Sequence, residues 1–149
     1  MKQILTFILI ALFLFNCSNQ HPVKQGQPSD ASITETHWKL TELIGKKIPS
    51  TTQGHKEMYM IFKKGTDRVQ GNSGCNNFAG SYQLKEGKRI TFSQIASTKM
   101  ACLDFDMNTE TQFLNVLSQA DSYYIKGDTL QLTRALMAPM AIFQAVYTK

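Results

Sequence analysis

The sequence predicts a mainly β domain with one helix: a small curved antiparallel sheet, or conical half-barrel, packed on that helix. Three observations predict it. Apolar residues recur at every second position in several short segments after residue 36, the pattern of strands with one face on a core. Turn chemistry separates those segments. One stretch, from about Asp106 to Ala120, switches to helical spacing.

Taken in order, His37-Trp38-Lys39-Leu40-Thr41-Glu42-Leu43 alternates and then meets Ile44-Gly45, a bulge or turn. Lys46 to His55 is polar, contains Pro49 and Gly54, and reads as a loop. Glu57 to Lys63 places Met58, Met60 and Phe62 on one face. Lys64-Gly65-Thr66-Asp67 is turn chemistry, and Arg68 to Gly71 opens another strand. Phe78, Gly80, Tyr82 and Leu84 share one side, and the Glu86-Gly87-Lys88 turn leads to Ile90 and Phe92 at the same period. In the helical stretch the apolar positions are Phe113, Leu114, Leu117 and Ala120, with Val116 beside them. Thr109 with Gln112 fits a capping box, and Asp106 or Asn108 fits a helix start equally well. Ser122 to Lys126, a Gly127-Asp128 turn, Leu130 to Leu132 and Met140 to Tyr147 return to strand composition. A lone helix needs a partner for its apolar stripe, so it must cover one open face or end of the curved sheet.

The first residues are a targeting segment rather than part of that fold. Lys2 precedes a nearly unbroken apolar run from Ile4 to Phe15. A transmembrane helix needs about 20 such residues, whereas the core of a secretory signal needs only about 7–15. Leu14-Phe15-Asn16-Cys17 resembles the lipobox of bacterial lipoproteins, with Asn16 where a small residue usually stands. That resemblance implies cleavage after residue 16 and a lipid on Cys17. Several acyl chains together anchor firmly where one alone binds marginally. Ser18, rather than Asp, follows the cysteine, a pattern resembling proteins forwarded to the outer membrane. Residues 17–32 are polar with two prolines and read as a flexible tether. Residues 33–149 suffice for one core. The expected location is the cell envelope, lipid-anchored, at the outer membrane facing the periplasm.

A net charge of +5 raises the question of nucleic acid. Its lysines and arginines are scattered and the chain is exported, so an ordinary solvated surface is the expected reading.

In its motifs the chain resembles the META domain, the HslJ-like heat-shock lipoprotein family. Trp38-x-Leu40 and Gly45 open the match. Val69-x-Gly71-x-x-Gly74-Cys75-Asn76 and Phe78-x-Gly80-x-Tyr82 follow. Next come Ile95-Ala-Ser97-Thr98-Lys99-Met100-Ala-Cys102, the helix pattern Glu110-x-x-Phe113-x-x-x-Leu117-x-x-Ala120, and Gly127-Asp128-x-Leu130-x-Leu132. The resemblance implies a conical antiparallel barrel or half-barrel with a helix at one end. It also implies a general link to heat shock, envelope stress and antibiotic sensitivity, with no catalytic residues. Fold likeness alone assigns no function.

Cys75 and Cys102 remain once Cys17 carries lipid. An oxidising compartment favours a bridge, which for this loop stabilises by roughly 3.5 kcal/mol. Buried free thiols and a reactive thiol are the alternatives. Gly71-Asn-Ser-Gly74 is not a nucleophile elbow, since Cys75 stands where that motif needs glycine. Its glycines suit a tight turn with φ > 0, and Asn76 suits closing one with its amide. Ser97-Thr98-Lys99 reads as loop rather than a Ser/Lys pair. His21, His37 and His55 are dispersed and match no metal spacing, while Asp104 and Asp106 suit a helix dipole. No cofactor or metal is expected. Met58, Met60, Met100, Met107, Met137 and Met140 fill a core by default; lining a barrel mouth, they would hold an acyl chain or a partner's helix.

The expected function is a non-enzymatic binding or chaperone-like module, held at the membrane by Cys17, that engages an envelope protein or lipid. The alternative is a secreted proteinase inhibitor that inserts the loop 46–56 into its target.

Overall fold

A computed structural model describes residues 30–49, 56–102, 107–135 and 137–147. Strands form where alternation presents one face to the core: β1 (His37–Leu43), β2 (Lys46–Lys47), β3 (Tyr59–Phe62), β4 (Arg68–Asn72), β5 (Asn77–Lys85) and β6 (Arg89–Ser97). The helix α1 (Met107–Gln119) follows, then β7 (Ser122–Lys126), β8 (Thr129–Thr133) and β9 (Ala141–Val146). Among the described residues the fold is mainly β with a single helix, as the periodicity predicts. The short β2 corrects the reading of Lys46–Lys47 as loop; residues 50–55, the middle of the expected inhibitory loop 46–56, lie outside the described residues.

Every strand pairing is antiparallel, and the sheet closes into a ring because β1 pairs on both edges. One edge runs beside β9, from His37 opposite Val146 to Leu43 opposite Ala141. The other meets β3 at Trp38–Met60 and β2 at Leu43–Lys46. From β3 to β9 each strand pairs with the next. The thinnest seam lies between β6 and β7, where Arg89 opposite Ser122 is the one register pair. The Ile90 N–H to the Asp121 carbonyl (3.0 Å) and the Tyr123 N–H to the Lys88 carbonyl (2.9 Å) hold that seam shut.

Trp38, Phe62, Phe113 and Phe143 are the largest side chains buried inside the ring. Burying each such side chain contributes roughly 1.5–3 kcal/mol. The helix turns Phe113, Val116 and Leu117 inward. Phe113 stands edge-on to Phe78 at 5.7 Å and lies 6.0 Å from Phe143, which ties the helix to both sides of the ring. Met58 and Met60 are core residues, but Met100, Met107 and Met137 are exposed, which corrects the core-filling expectation for those three. Leu84 is also exposed, since β5 outruns the core before the hairpin.

A strap formed by residues 30–36 crosses the opposite end. The Ala31 N–H donates to the Gly127 carbonyl (2.9 Å) and the Gly127 N–H donates to Asp30 Oδ1 (2.7 Å). Farther along, the Glu35 N–H donates to the Phe62 carbonyl (2.8 Å), and Trp38 Nε1 donates to the Ile33 carbonyl (2.9 Å). Asp30 and Ala31, inside the segment read as tether, thus make ordered contacts with Gly127.

Candidate functional site

Part of the family pattern, from Gly71 to Asn76, from Thr98 to Cys102 and at Glu110, converges on a buried clasp at the end where α1 begins. Its foundation is the β4–β5 turn, Ser73 to Asn76, which is wholly buried. Asn72 closes this turn: its Oδ1 accepts from the Gly74 N–H (2.8 Å), and its Nδ2 donates to Asn77 Oδ1 (2.8 Å). Gly74 holds φ = 108°, a conformation that glycine adopts without penalty. Gly71 serves differently from expectation. Its backbone is ordinary strand, but a Cβ there would collide with the Tyr59 carbonyl oxygen and the Phe78 ring. Gly80 likewise faces the β6 bulge at Gln94, where the Ile95 side chain and the Ser93 carbonyl leave no room for a side chain.

Asn76 is buried, and its amide does not close a turn as the sequence suggests. Instead it joins three segments. Oδ1 accepts from Thr98 Oγ1 (2.7 Å) and the Met100 N–H (2.8 Å), while Nδ2 donates to the Met100 carbonyl (3.1 Å). The side chain thus pairs with residue 100 as a neighbouring strand would. Nδ2 also donates to Glu110 Oε1 (2.9 Å) and Oε2 (3.2 Å), and the Asn76 N–H donates to Oε2 (3.2 Å). Cys75 and Cys102 are joined by a disulfide with Cα atoms 6.0 Å apart, which fastens the same segment a second time.

Glu110 belongs to the clasp, a role that hydrophobic periodicity does not assign to a carboxylate. It is 5 % exposed, although carboxylates in a first helical turn usually face water and complement the dipole. The available signal was its place three and seven residues before Phe113 and Leu117, on the apolar stripe. Thr109 lies inside the helix, whose described residues begin at Met107, rather than at its cap. The preceding residues, Asp104 and Asp106 included, lie outside the described ones.

Around this clasp the surface is partly apolar: Met100 is 48 % and Met107 39 % exposed, and Lys99 and Ala101 are exposed beside them. Ser97 ends β6 opposite Phe78, in strand rather than on a helix. Trp38 and Tyr82 are framework residues, the Tyr82 hydroxyl donating to the Lys63 carbonyl (3.2 Å). Burial, then Asp67 and Glu35, push that hydroxyl's pKa up. Cys17, His21 and His55 lie outside the described residues.

Two polar clusters lie elsewhere. Glu57 accepts from His37 Nε2 (2.7 Å) and pairs with Lys39 Nζ (2.8 Å), while the His37 ring stacks on Tyr59 at 4.2 Å. Partial burial raises the Glu57 carboxyl pKa, but hydrogen bonds from Lys39 and His37 outweigh it and hold it below the usual range. At the β6–β7 seam a groove of about 410 Å³ is lined by Lys88, Arg89, Ser122 and Tyr124 among others. Lys88 Nζ sits 4.4 Å over the Tyr124 ring, and Arg89 pairs with Asp121 at 3.3 Å. The Ala135 N–H and Ser122 hydroxyl hold the Asp121 carboxyl below its ordinary pKa. Among the described residues no group of three His, Cys, Asp or Glu side chains is arranged to hold a metal ion.

Two solved structures share this architecture. An NMR structure of a protein from Burkholderia xenovorans superposes with a TM-score of 0.62 at 24% identity, covering 87% of this chain and 99% of that one. A second NMR structure gives 0.59 at 18% identity, covering 76% and 94%. Both establish likeness of fold alone. No curated protein matches. The model of the META domain matches residues 31–147, which take in the ring, its helix and all of the strap but Asp30, and the chain belongs to the META domain family.

Proposed function

We propose that this protein is a lipid-anchored envelope lipoprotein whose META domain acts as a non-enzymatic binding or chaperone-like module. The observation that carries the anchoring is in the sequence: an apolar leader ends on Cys17, and a polar tether separates that cysteine from the strap at Asp30. Ser18 after the cysteine favours the outer membrane, facing the periplasm. The envelope-stress or antibiotic-tolerance role is the one the family resemblance implies.

The non-enzymatic part draws support from where the family's polar groups point. The Asn76 amide, the Glu110 carboxylate, the Trp38 N–H and the Tyr82 hydroxyl are all engaged by other parts of the chain. Groups held this way stabilise a fold. What faces outward near Asn76 and Glu110 is adaptable methionine, Met100 and Met107, a side chain suited to accommodating varied partner surfaces.

The test is site-specific photocrosslinking from positions 100 and 107 in cells under envelope stress, with position 66 as control. A reproducible envelope protein or lipid adduct from the first two positions is expected. Adducts no different from those at position 66 would count against a binding module.

A further inference from the structure

We propose that the adjoining tips of the β1–β2 hairpin and the β8–β9 connection form a membrane-contact site that enters the interface of a bilayer carrying anionic lipid. The proposal goes beyond anchoring by the N-terminus, since it assigns a second contact to the folded domain itself.

Its first support is an unfavourable residue choice. The β1–β2 hairpin turns through Ile44 (φ = 49°) and Gly45 (φ = 73°). Such two-residue turns favour Asn-Gly, because both central residues need positive φ. A β-branched side chain in that region is an outlier. Burial in the protein does not account for it, because Ile44 is 54 % exposed. Backbone strain of this kind, held at a tip, points toward function rather than folding.

The second support is the neighbour. The Ile44 N–H donates to the Met140 carbonyl (2.8 Å), and the Met140 N–H to the Leu132 carbonyl (2.8 Å), so the two tips stand side by side. Met137, at the crest of the second, is 69 % exposed, the highest value among the exposed large hydrophobic residues. Ala138 and Pro139 continue the apolar surface.

The third is charge. Lys46 and Lys47 flank the first tip and Arg134 the second, all exposed. Among the described residues the carboxylates near them are Glu42, which lies across from Lys47, and Asp121, which Arg89 already pairs. An apolar crest with a cationic rim is the composition that inserts into headgroups, lysine and arginine reaching for lipid phosphate.

Reach is no obstacle. The seven residues of β1 span about 23 Å at the strand rise, and residues 17–30 reach up to about 45 Å when extended. A chain held at its N-terminus can therefore lay the far tip on the same bilayer, whether lipid or uncut leader holds it.

The test uses the full chain on vesicles of phosphatidylcholine, with and without phosphatidylglycerol, containing spin-labelled lipid as quencher. An environment-sensitive fluorophore is placed on Ala138→Cys, with Thr66→Cys at the opposite end as control and the parent chain as background. Flotation first reports attachment. On anionic vesicles the label at 138 is expected to be quenched several-fold more than the label at 66, and less so without phosphatidylglycerol. Ile44→Asn is expected to lower that quenching while raising the thermal midpoint, opposite signs that a packing role would not produce. A chain that floats with the 138 label no more quenched than the 66 label overturns this proposal and leaves anchoring intact. A chain that floats on neither vesicle overturns both. A midpoint lowered by Ile44→Asn overturns the strain argument.

Discussion

Replacing Asn76 with alanine removes the amide that joins the β4–β5 turn to residues 98–100 and to α1. Glu110 would keep only the Asn76 N–H among the clasp's donors, at 3.2 Å, and at 5 % exposure it has little access to water. A hydrogen bond to a charged group is worth about 1.5–3 kcal/mol, a neutral one about 0.5–1.5. Thr98 and Met100 are exposed and recover part of their loss by turning to solvent. The sum is about 3–4 kcal/mol, a large share of the 5–15 kcal/mol typical of a domain and enough to lower the thermal midpoint by about 10 °C. Urea unfolding followed by the fluorescence of Trp38, the sole tryptophan, measures it. Asn76→Asp sharpens the test, since it preserves shape but sets a carboxylate where Nδ2 now lies 2.9 Å from Glu110 Oε1. Two carboxylates at that distance cannot both stay charged, so this variant should be worse than alanine at neutral pH and recover as the pH falls. A loss below about 1 kcal/mol for alanine, together with an aspartate variant whose deficit ignores pH, would refute the clasp as a source of stability.

The remaining expectations concern the same framework. Gly71→Ala should cost more than Gly80→Ala, because the first meets the Tyr59 backbone and the second chiefly the flexible end of Ile95; overpacking of this kind costs about 1–3 kcal/mol, and paired urea midpoints rank the two. Removing both Cys75 and Cys102 as serines should cost about 3.5 kcal/mol from the loop they close, with the far-ultraviolet spectrum unchanged because the Asn76 hydrogen bonds remain. Acid should destabilise the domain: Glu35, Glu57 and Asp121 titrate below their ordinary values in the folded state, so the unfolded chain binds protons first. Stability should fall as pH drops through about 4 and below. Glu57→Gln should flatten that slope, by under about 1 kcal/mol because the group is partly solvated, in urea midpoints measured across the acid range.

Much of this fold was legible in local periodicity. The inward faces of β1, β3 and β5 follow from alternation at Trp38–Leu40, Met58–Phe62 and Phe78–Tyr82, and the helix from Phe113, Val116 and Leu117. What periodicity does not encode is partnership across the chain. The ring closes through residues such as His37 and Val146, distant in sequence, and nothing local to either end selects the other. The clasp was hidden for a related reason. Asn76 and Glu110 are polar residue types that usually lie at the surface, and only three-dimensional proximity turns them into buried partners. Hydropathy patterns place Ile44 in a turn but are blind to the strain of its φ of 49°. Residues 30–32, the start of the strap, read as tether because their ordering comes from Gly127, not from their own composition.

Mass analysis of the mature protein purified from membranes bears most directly on the proposed role. A chain beginning at Cys17 and carrying a diacylglyceryl group with an added acyl chain is the expected result. An unmodified thiol at that position, or a product that still bears the apolar leader, would contradict the anchoring and the envelope function built upon it.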